Sequence, residues 1–412
     1  MRLKIAIVVH GRFHAFDLAR ELLRLDHDVV LFTNYPASVA RRFGIPPERV
    51  RSFLAHGVGS RLLWRLFPGG LNGKTEQLTN IHFGRWSARQ VRQQRWDVVI
   101  AWSGVAEEVF QALGSQRTFK ILQRGSAHIR VQQQLLLEEE RRAGCRLEKP
   151  SDWIIAREER EYTLADSIHV LSQFAADSFT AQGMDPGKLF LLPLGVSQQV
   201  FRARPEAVQA RRQRVLAGAP LRVLNVGTFS YRKGVADIAE VVRDATASRF
   251  RFRFVGPVAK EAKSLYRQLE PHVDFVPKQP QDKLARDYEW GDVFLLATIE
   301  DGFGIVLCQA LAAGLPLLAT TNCAGPDLIA EGKSGWVIPI RNPNALLERL
   351  LWLDAHREEL AAAIQFVHSR ATVLDWSDTA RLAEQSMKEA LSSLHHRVGF
   401  EVSGTPAPHR SQ

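Results

Sequence analysis

Residues 299–320 read IEDGFGIVLCQALAAGLPLLAT. A strand ends near Thr298, a tight turn follows at Gly302-Phe303-Gly304, and a helix runs from about Ile305 to Ala313 before Gly314 stops it. Glycines on both sides of a phenylalanine suit a backbone that something approaches closely. The free N–H groups at the start of such a helix suit phosphate oxygen. Asp301 lies just ahead of the helix, where a carboxylate accepts hydrogen bonds from sugar hydroxyls, and Gln309 lies about one and a half turns inside it. A second apolar run, Leu317–Thr320, follows Pro316. Strand, helix, strand with a short return is the βαβ unit of a parallel sheet.

Two neighbouring stretches repeat this logic. In NVGTFSYRKGV (225–235) a strand ends at Gly227, and Arg232-Lys233-Gly234 open a helix. Two cations at a helix start are unfavourable unless an anion offsets them, so the pair either holds a diphosphate or is simply solvated. In TTNCAGPDLIAEGKSGWVIP (320–339) another strand gives way to the small-residue loop Cys323-Ala324-Gly325-Pro326 and a helix. Three strand ends carrying such loops on one side of a sheet read as a nucleotide site; well-capped helices without a ligand are the plainer alternative.

Outward from there, short β-branched runs alternate with helical patterns along the whole chain. In the second half, strands are expected at Arg222–Val226, Arg253–Val255, Val273–Val276, Val293–Ala297 and Trp336–Ile338. In the first half they fall at Lys4–Val9, Val29–Thr33, Asp97–Ala101, Lys120–Gln123, Ser167–Leu171 and Leu189–Leu194, with a helix at Ala15–Leu25 and another over Ser172–Gly183, capped by Ser172. The α/β pattern predicts two doubly wound, Rossmann-like domains facing a cleft, with ligands at the carboxyl ends of the strands. The expected division is a first domain over 1–196, a second domain over 197–372, a helix over 373–397 returning to the first domain, and a loose tail over 398–412. The polar, basic stretch from Gly195 to about Pro220 is the expected hinge.

The chain has 412 residues, 45% hydrophobic and 24% charged, which fits two or three globular domains and excludes a disordered or collagen-like polymer. No apolar run approaches the roughly 18 residues needed to cross a bilayer. MRLKIAIVVHGRF reads as a buried first strand rather than a secretion signal. Cys145, Cys308 and Cys323 make neither a disulfide framework nor a Cys-x-x-Cys site, so the expected compartment is a reducing cytoplasm. A net charge of +10 favours an anionic partner.

The stretches Gly227…Arg232-Lys233-Gly234, Asp301-Gly302-Phe303-Gly304…Gln309, Gly325-Pro326-Asp327 and Gly332…Gly335 resemble, in order and spacing, the group-1 retaining glycosyltransferases, glycosyltransferase family 4. Gly11, His27-Asp28-Val29, Glu161…Ala165-Asp166-Ser167 and Trp376 extend the resemblance over almost the whole chain. It implies the GT-B fold and transfer of a sugar, with retained configuration, from a UDP- or GDP-linked donor to a glycan or lipid-linked acceptor in polysaccharide or glycoconjugate biosynthesis. By position, Arg232 and Lys233 hold the diphosphate, and Asp301, with His128 near the transferring sugar, completes the catalytic group. Gly11, Gly227, Gly302, Phe303, Gly304 and Gln309 then line the donor site. The family usually has glutamates where Asp301 and Gln309 stand, and Glu300 adjoins the first position. The resemblance implies no metal and no cofactor beyond the donor substrate. Arg12, His14 and Arg124 are further cleft candidates, or ordinary loop residues.

Residues 41–95 carry eleven Lys and Arg against Glu48 and Glu76 alone. Within them GSRLLWRLF (59–67) interleaves Arg61 and Arg65 with Leu62, Leu63, Trp64, Leu66 and Phe67. This reads as an interfacial segment for the inner face of an anionic membrane, or as an ordinary packed helix. Nucleic acid is not expected, since no recognised module appears. A catalytically silent GT-B subunit and a GT-B nucleotide-sugar epimerase are the competing functions.

Overall fold

The computed structural model describes residues 1–66, 74–114, 117–244 and 249–402, without the side chains of 63–66 and 394–402. Two sheets organise them. The first contains β1 (Lys4–Val9), β2 (Asp28–Thr33), β3 (Val50–Ser52), β4 (Val98–Trp102), β5 (Phe119–Gln123), β6 (Ser167–Val170) and β7 (Leu189–Leu191), in the order β3-β2-β1-β4-β5-β6-β7. The second contains β8 (Leu221–Val226), β9 (Phe250–Val255), β10 (Val273–Val276), β11 (Val293–Leu296), β12 (Leu317–Thr320) and β13 (Gly335–Ile338), in the order β10-β9-β8-β11-β12-β13. The registered pairs are parallel in both.

Parallel strands are covered on both faces, so their sequences are continuous apolar runs. In β1, KIAIVV, five of six residues are buried, and all of β11, VFLL, is buried. In the second sheet alternate side chains serve two separate cores. Val223, Leu295 and Leu318 join one cluster, whereas Leu224, Phe294, Leu296 and Leu317 join the other. Strand order reverses between β1 and β4 and again between β8 and β11. Those switch points are where a doubly wound sheet leaves a crevice at its carboxyl edge.

Chain contacts divide the protein into two compact units. One comprises Met1–Gln123, Ala156–His169 and Ser377–Gln412, the other Arg124–Ile155 and Val170–Trp376. The Ile129–Ala143 helix belongs to the second because its charges are paired there. Arg341 reaches Glu139 (3.0 Å) and Glu138 (2.8 Å), while Arg142 pairs with Asp237. The last helix runs from Trp376 to Val402, so residues 398–402, expected to be loose, are helical, and 403–412 lie outside the described residues.

The expected hinge is instead a packed segment. Helices Gln198–Phe201 and Pro205–Leu216 fill most of it. Arg211 is fully buried and donates to the carbonyls of Ala313 (3.1 Å), Gly314 (2.7 Å) and Tyr288 (3.0 Å). A cation that looks solvated in sequence thus caps helix ends inside the unit. Among the described residues no helix is long and apolar enough to cross a membrane.

Candidate active site

The loops after β8 and β11 meet at the carboxyl edge of the second sheet. Beyond β8, Gly227 takes φ +151°, and residues Tyr231–Lys233 form a single tight helical turn closed by Gly234 at φ +72°. A side chain at Gly234 would collide with the Ala297 carbonyl, so only glycine lets this turn lie against the end of β11. The Ile299 N–H donates to the Arg232 carbonyl at 2.9 Å, and the Thr298 hydroxyl donates to the same oxygen at 3.1 Å. The two expected cations are therefore fixed by backbone, and the Val235–Asp244 helix starts after them.

Each cation meets one of the two adjacent carboxylates. Lys233 is paired with Asp301, and Arg232 donates to Glu300 Oε2 at 3.2 Å. Burial works against the Asp301 charge, but Lys233 first and then Arg232 outweigh it and hold its carboxyl below the usual carboxylate range. Glu300 is fully buried and also accepts from the Ala127 N–H (3.1 Å) and Gln132 Nε2 (3.3 Å). It is thus occupied as a structural acceptor and does not stand in for Asp301, whose side chain keeps 20% exposure. The sequence marked Glu300 only as a neighbour; its role as the tie between two loops depends on Gln132, 168 positions away.

Through Glu300 the site gains its first-half residues. A side chain at Gly302 would collide with the Gly125 carbonyl, which is why the turn carries glycine there. Ser172, expected only as a helix cap, caps Ala175 and also donates to the Gly302 carbonyl at 2.7 Å. Arg124 is buried, donating to the Ala127 carbonyl (3.1 Å) and to Gln132 Oε1 (2.8 Å). His128 caps the Ile129–Ala143 helix, its Nδ1 accepting the Arg130 N–H at 3.3 Å. In the neutral ring the proton then sits on Nε2. Asp301, Lys233, Arg232 and His128 all belong to this second unit.

The remaining donor-site expectations separate. Gly304 starts the Ile305–Ala312 helix at φ +78°. Phe303 packs into the hydrophobic core at 3% exposure, so only its backbone serves the loop: its N–H goes to Asp301 Oδ1 (3.3 Å) and its carbonyl accepts from Ala324 (2.9 Å). Gln309 is buried with its Oε1 accepting the Tyr288 hydroxyl at 2.8 Å, a partner that sequence spacing does not reveal. With the oxygen engaged, the amide NH2 is the group left to act on a ligand.

In the first unit, Gly11 follows β1 at φ +119°, its N–H donating to Asn34 Oδ1 (3.0 Å) and its carbonyl accepting from Thr33 (3.1 Å). Arg12 stacks on Phe43 at 4.6 Å. His14 lies against Trp102, ring centroids 5.0 Å apart, and burial pushes it down to about 4, only partly opposed by Gln123. It is a neutral imidazole at pH 7. Glu161 accepts from the N–H groups of Gly104, Ala106 and Glu107 and pairs with Arg157, so it anchors the loop after β4. Among the described residues no group of three or more His, Cys, Asp or Glu is arranged to hold a metal ion.

The second unit thus carries, at the switch point of a parallel sheet, a cation pair beside a carboxylate, and the chain's relatives make its class specific. Residues 220–356 match the profile described as glycosyl transferases group 1, and residues 12–195 match that of the glycosyl transferase 4-like domain. The chain belongs to the group-1 glycosyltransferases. It is 28% identical over 197 residues to WcaL of Salmonella typhimurium, named for colanic acid biosynthesis, covering 45% of this chain and 47% of that protein. It is 24% identical over 236 residues to the amylovoran biosynthesis glycosyltransferase AmsK of Erwinia amylovora, covering 54% and 55%. The aligned stretches thus span about half the length of these relatives. Among solved structures, HepE of Anabaena in complex with UDP superimposes with a TM-score of 0.67 at 15% identity, over 95% of this chain and all of that one. Sucrose-phosphate synthase of Thermosynechococcus elongatus gives 0.71 at 16%, with the same coverage. The fold is GT-B.

Proposed function

We propose that the protein moves a hexose from a nucleoside-diphosphate sugar to a glycan or lipid-linked acceptor during polysaccharide or glycoconjugate assembly, with retention of configuration and without a metal. The observation that carries this reading is the cation pair Arg232 and Lys233, fixed by backbone at the β8–β11 switch point and facing Asp301. In the transfer the glycosidic C1–O bond to the diphosphate breaks, and negative charge grows on the leaving oxygen. Arg232 and Lys233 stabilise that charge, which is electrostatic catalysis at a preformed site. Asp301 accepts hydrogen bonds from sugar hydroxyls once the diphosphate draws Lys233 away. The Nε2–H of His128 donates to the transferring sugar. The acceptor oxygen attacks from the face the diphosphate leaves, and the departing phosphate oxygen takes its proton. UDP and UDP-glucose complexes of HepE support a uridine donor, and the names of WcaL and AmsK support a polysaccharide as product. A place at the inner face of an anionic membrane belongs to the same reading.

A catalytically silent subunit is the reading that the uncharged Gln309, engaged by Tyr288, favours instead. Release of UDP or GDP from a panel of nucleotide sugars, measured with and without a lipid-linked acceptor, separates them. Acceptor-dependent release supports transfer. Binding with no release supports the silent subunit, and release of an isomerised nucleotide sugar supports an epimerase.

A further inference from the structure

Residues 63–67, the apolar end of the segment that sequence marks as interfacial, lie outside the side chains the structure describes. Arg341, in the second unit, is fully described and has no part in the site above. It follows β13 with φ +54°, in the left-handed region that residues other than glycine seldom adopt. From there its guanidinium reaches the Ile129–Ala143 helix, where it donates to the Leu135 carbonyl (2.8 Å), Glu138 Oε2 (2.8 Å) and Glu139 Oε2 (3.0 Å).

Glu139 is fully buried, so its charge needs a cation. Two are in reach: Arg341, and Arg142 at 3.7 Å. Arg142 is shared. It also pairs with Asp237, buried in the first turn of the Val235–Asp244 helix, and with the exposed Glu240 at 3.6 Å. That helix starts directly after the turn of Arg232 and Lys233. The Ile129–Ala143 helix packs on the same turn and also reaches Arg232 through Gln132 and Glu300 (3.3 and 3.2 Å). With Arg341 in place, Glu139 is neutralised and Arg142 is left to Asp237. Without it, two buried carboxylates compete for one guanidinium, and the helix behind the cation turn loses its partner.

We infer that Arg341 is a positioning residue for the diphosphate-binding pair: acting through Glu139, Arg142 and Asp237, it holds the turn that carries Arg232 and Lys233 in its binding geometry. A diphosphate that draws Lys233 from Asp301 and Arg232 from Glu300 removes the ion pairs that fix those two side chains. The tie between Arg142 and Asp237 involves neither cation, so it persists when the ligand is bound. The inference rests on the proposed function in taking a diphosphate as the ligand.

The test is titration calorimetry of the full chain with UDP and with GDP, at a temperature where parent and variants are folded. Arg341→Gly removes the guanidinium and relieves the positive φ, and the nucleotide Kd should rise about tenfold. A purely structural contribution would lower the unfolding temperature and the fraction of chain able to bind, and leave the Kd of the folded chain unchanged. Adding Glu139→Gln to Arg341→Gly ends the competition for Arg142, so the Kd should return to within about twofold of the parent's. Should Arg341→Gly fail to fold, Asp237→Asn breaks the same chain at its far end and should show the same rise. A parent-like Kd in Arg341→Gly or Asp237→Asn overturns the inference, as does a double variant that binds no better than Arg341→Gly. Lys233→Ala, run in parallel, reports the site itself. If it weakens binding while Arg341→Gly does not, only this inference fails; if it leaves the Kd unchanged, or the parent binds neither nucleotide, the proposed site fails and this inference with it.

Discussion

Lys233 and Asp301 form a pair whose two roles are separable by substitution. If Lys233 is one of the two groups proposed to stabilise the leaving diphosphate, Lys233→Ala should lower turnover about 10²-fold or more, the scale of losing one preformed charge-stabilising contact. Steady-state rates on the best donor check this, and an unchanged rate removes Lys233 from the site. Asp301 carries the pH signature. Its folded carboxyl titrates below the usual value, so the unfolded state binds the proton first as pH falls. The pair's stabilisation is therefore present above about pH 4 and is lost as pH falls from there through the folded value. Urea midpoints should drop less steeply between pH 5 and 3 in Asp301→Asn than in the parent (about two units of pH suffice to see it). Parallel curves would mean that the pair contributes nothing to the folded state. His14 adds a slope at higher pH. Its imidazole, pushed down to about 4, resists protonation in the folded state, so its contribution is present above about pH 6.5 and lost as pH falls towards 4.

At the scale of elements, the turn Tyr231–Lys233 depends on Gly234. Gly234→Ala sets a methyl against the Ala297 carbonyl at a positive φ, and should cost on the order of 2–4 kcal/mol and displace both cations. Chemical denaturation together with nucleotide binding checks it: a stable variant with intact binding would show that the turn tolerates the shift. This glycine and the others of the strand-end loops were readable in sequence because backbone geometry admits few residues. Strands were readable for a related reason, since a strand buried on both faces must be an apolar run, as in β1, β11 and β12. The three residues of β3 were too short to show a period, and the Pro205–Leu216 helix was hidden because its arginines look solvated. Ties across long sequence separation, Glu300 to Gln132 and Tyr288 to Gln309, left no local signal. Phe303 stands between two glycines that the local backbone requires, and its ring fills core.

The whole molecule carries an excess of ten positive charges, and in the proposed function its candidate site meets a diphosphate with side chains rather than an ion. If Arg232, Lys233 and helix starts neutralise the diphosphate as proposed, no strict Mg²⁺ or Mn²⁺ requirement is expected, and chelation should leave most of the activity. Retention follows if attack and departure share one face. Both properties are read in a single experiment: proton NMR of the anomeric signal during turnover of the preferred UDP- or GDP-hexose with its acceptor, with EDTA present. The expected product has the donor's anomeric configuration and forms at a rate close to that without EDTA. An inverted anomer, or activity abolished by EDTA and restored by Mg²⁺ or Mn²⁺, would contradict it.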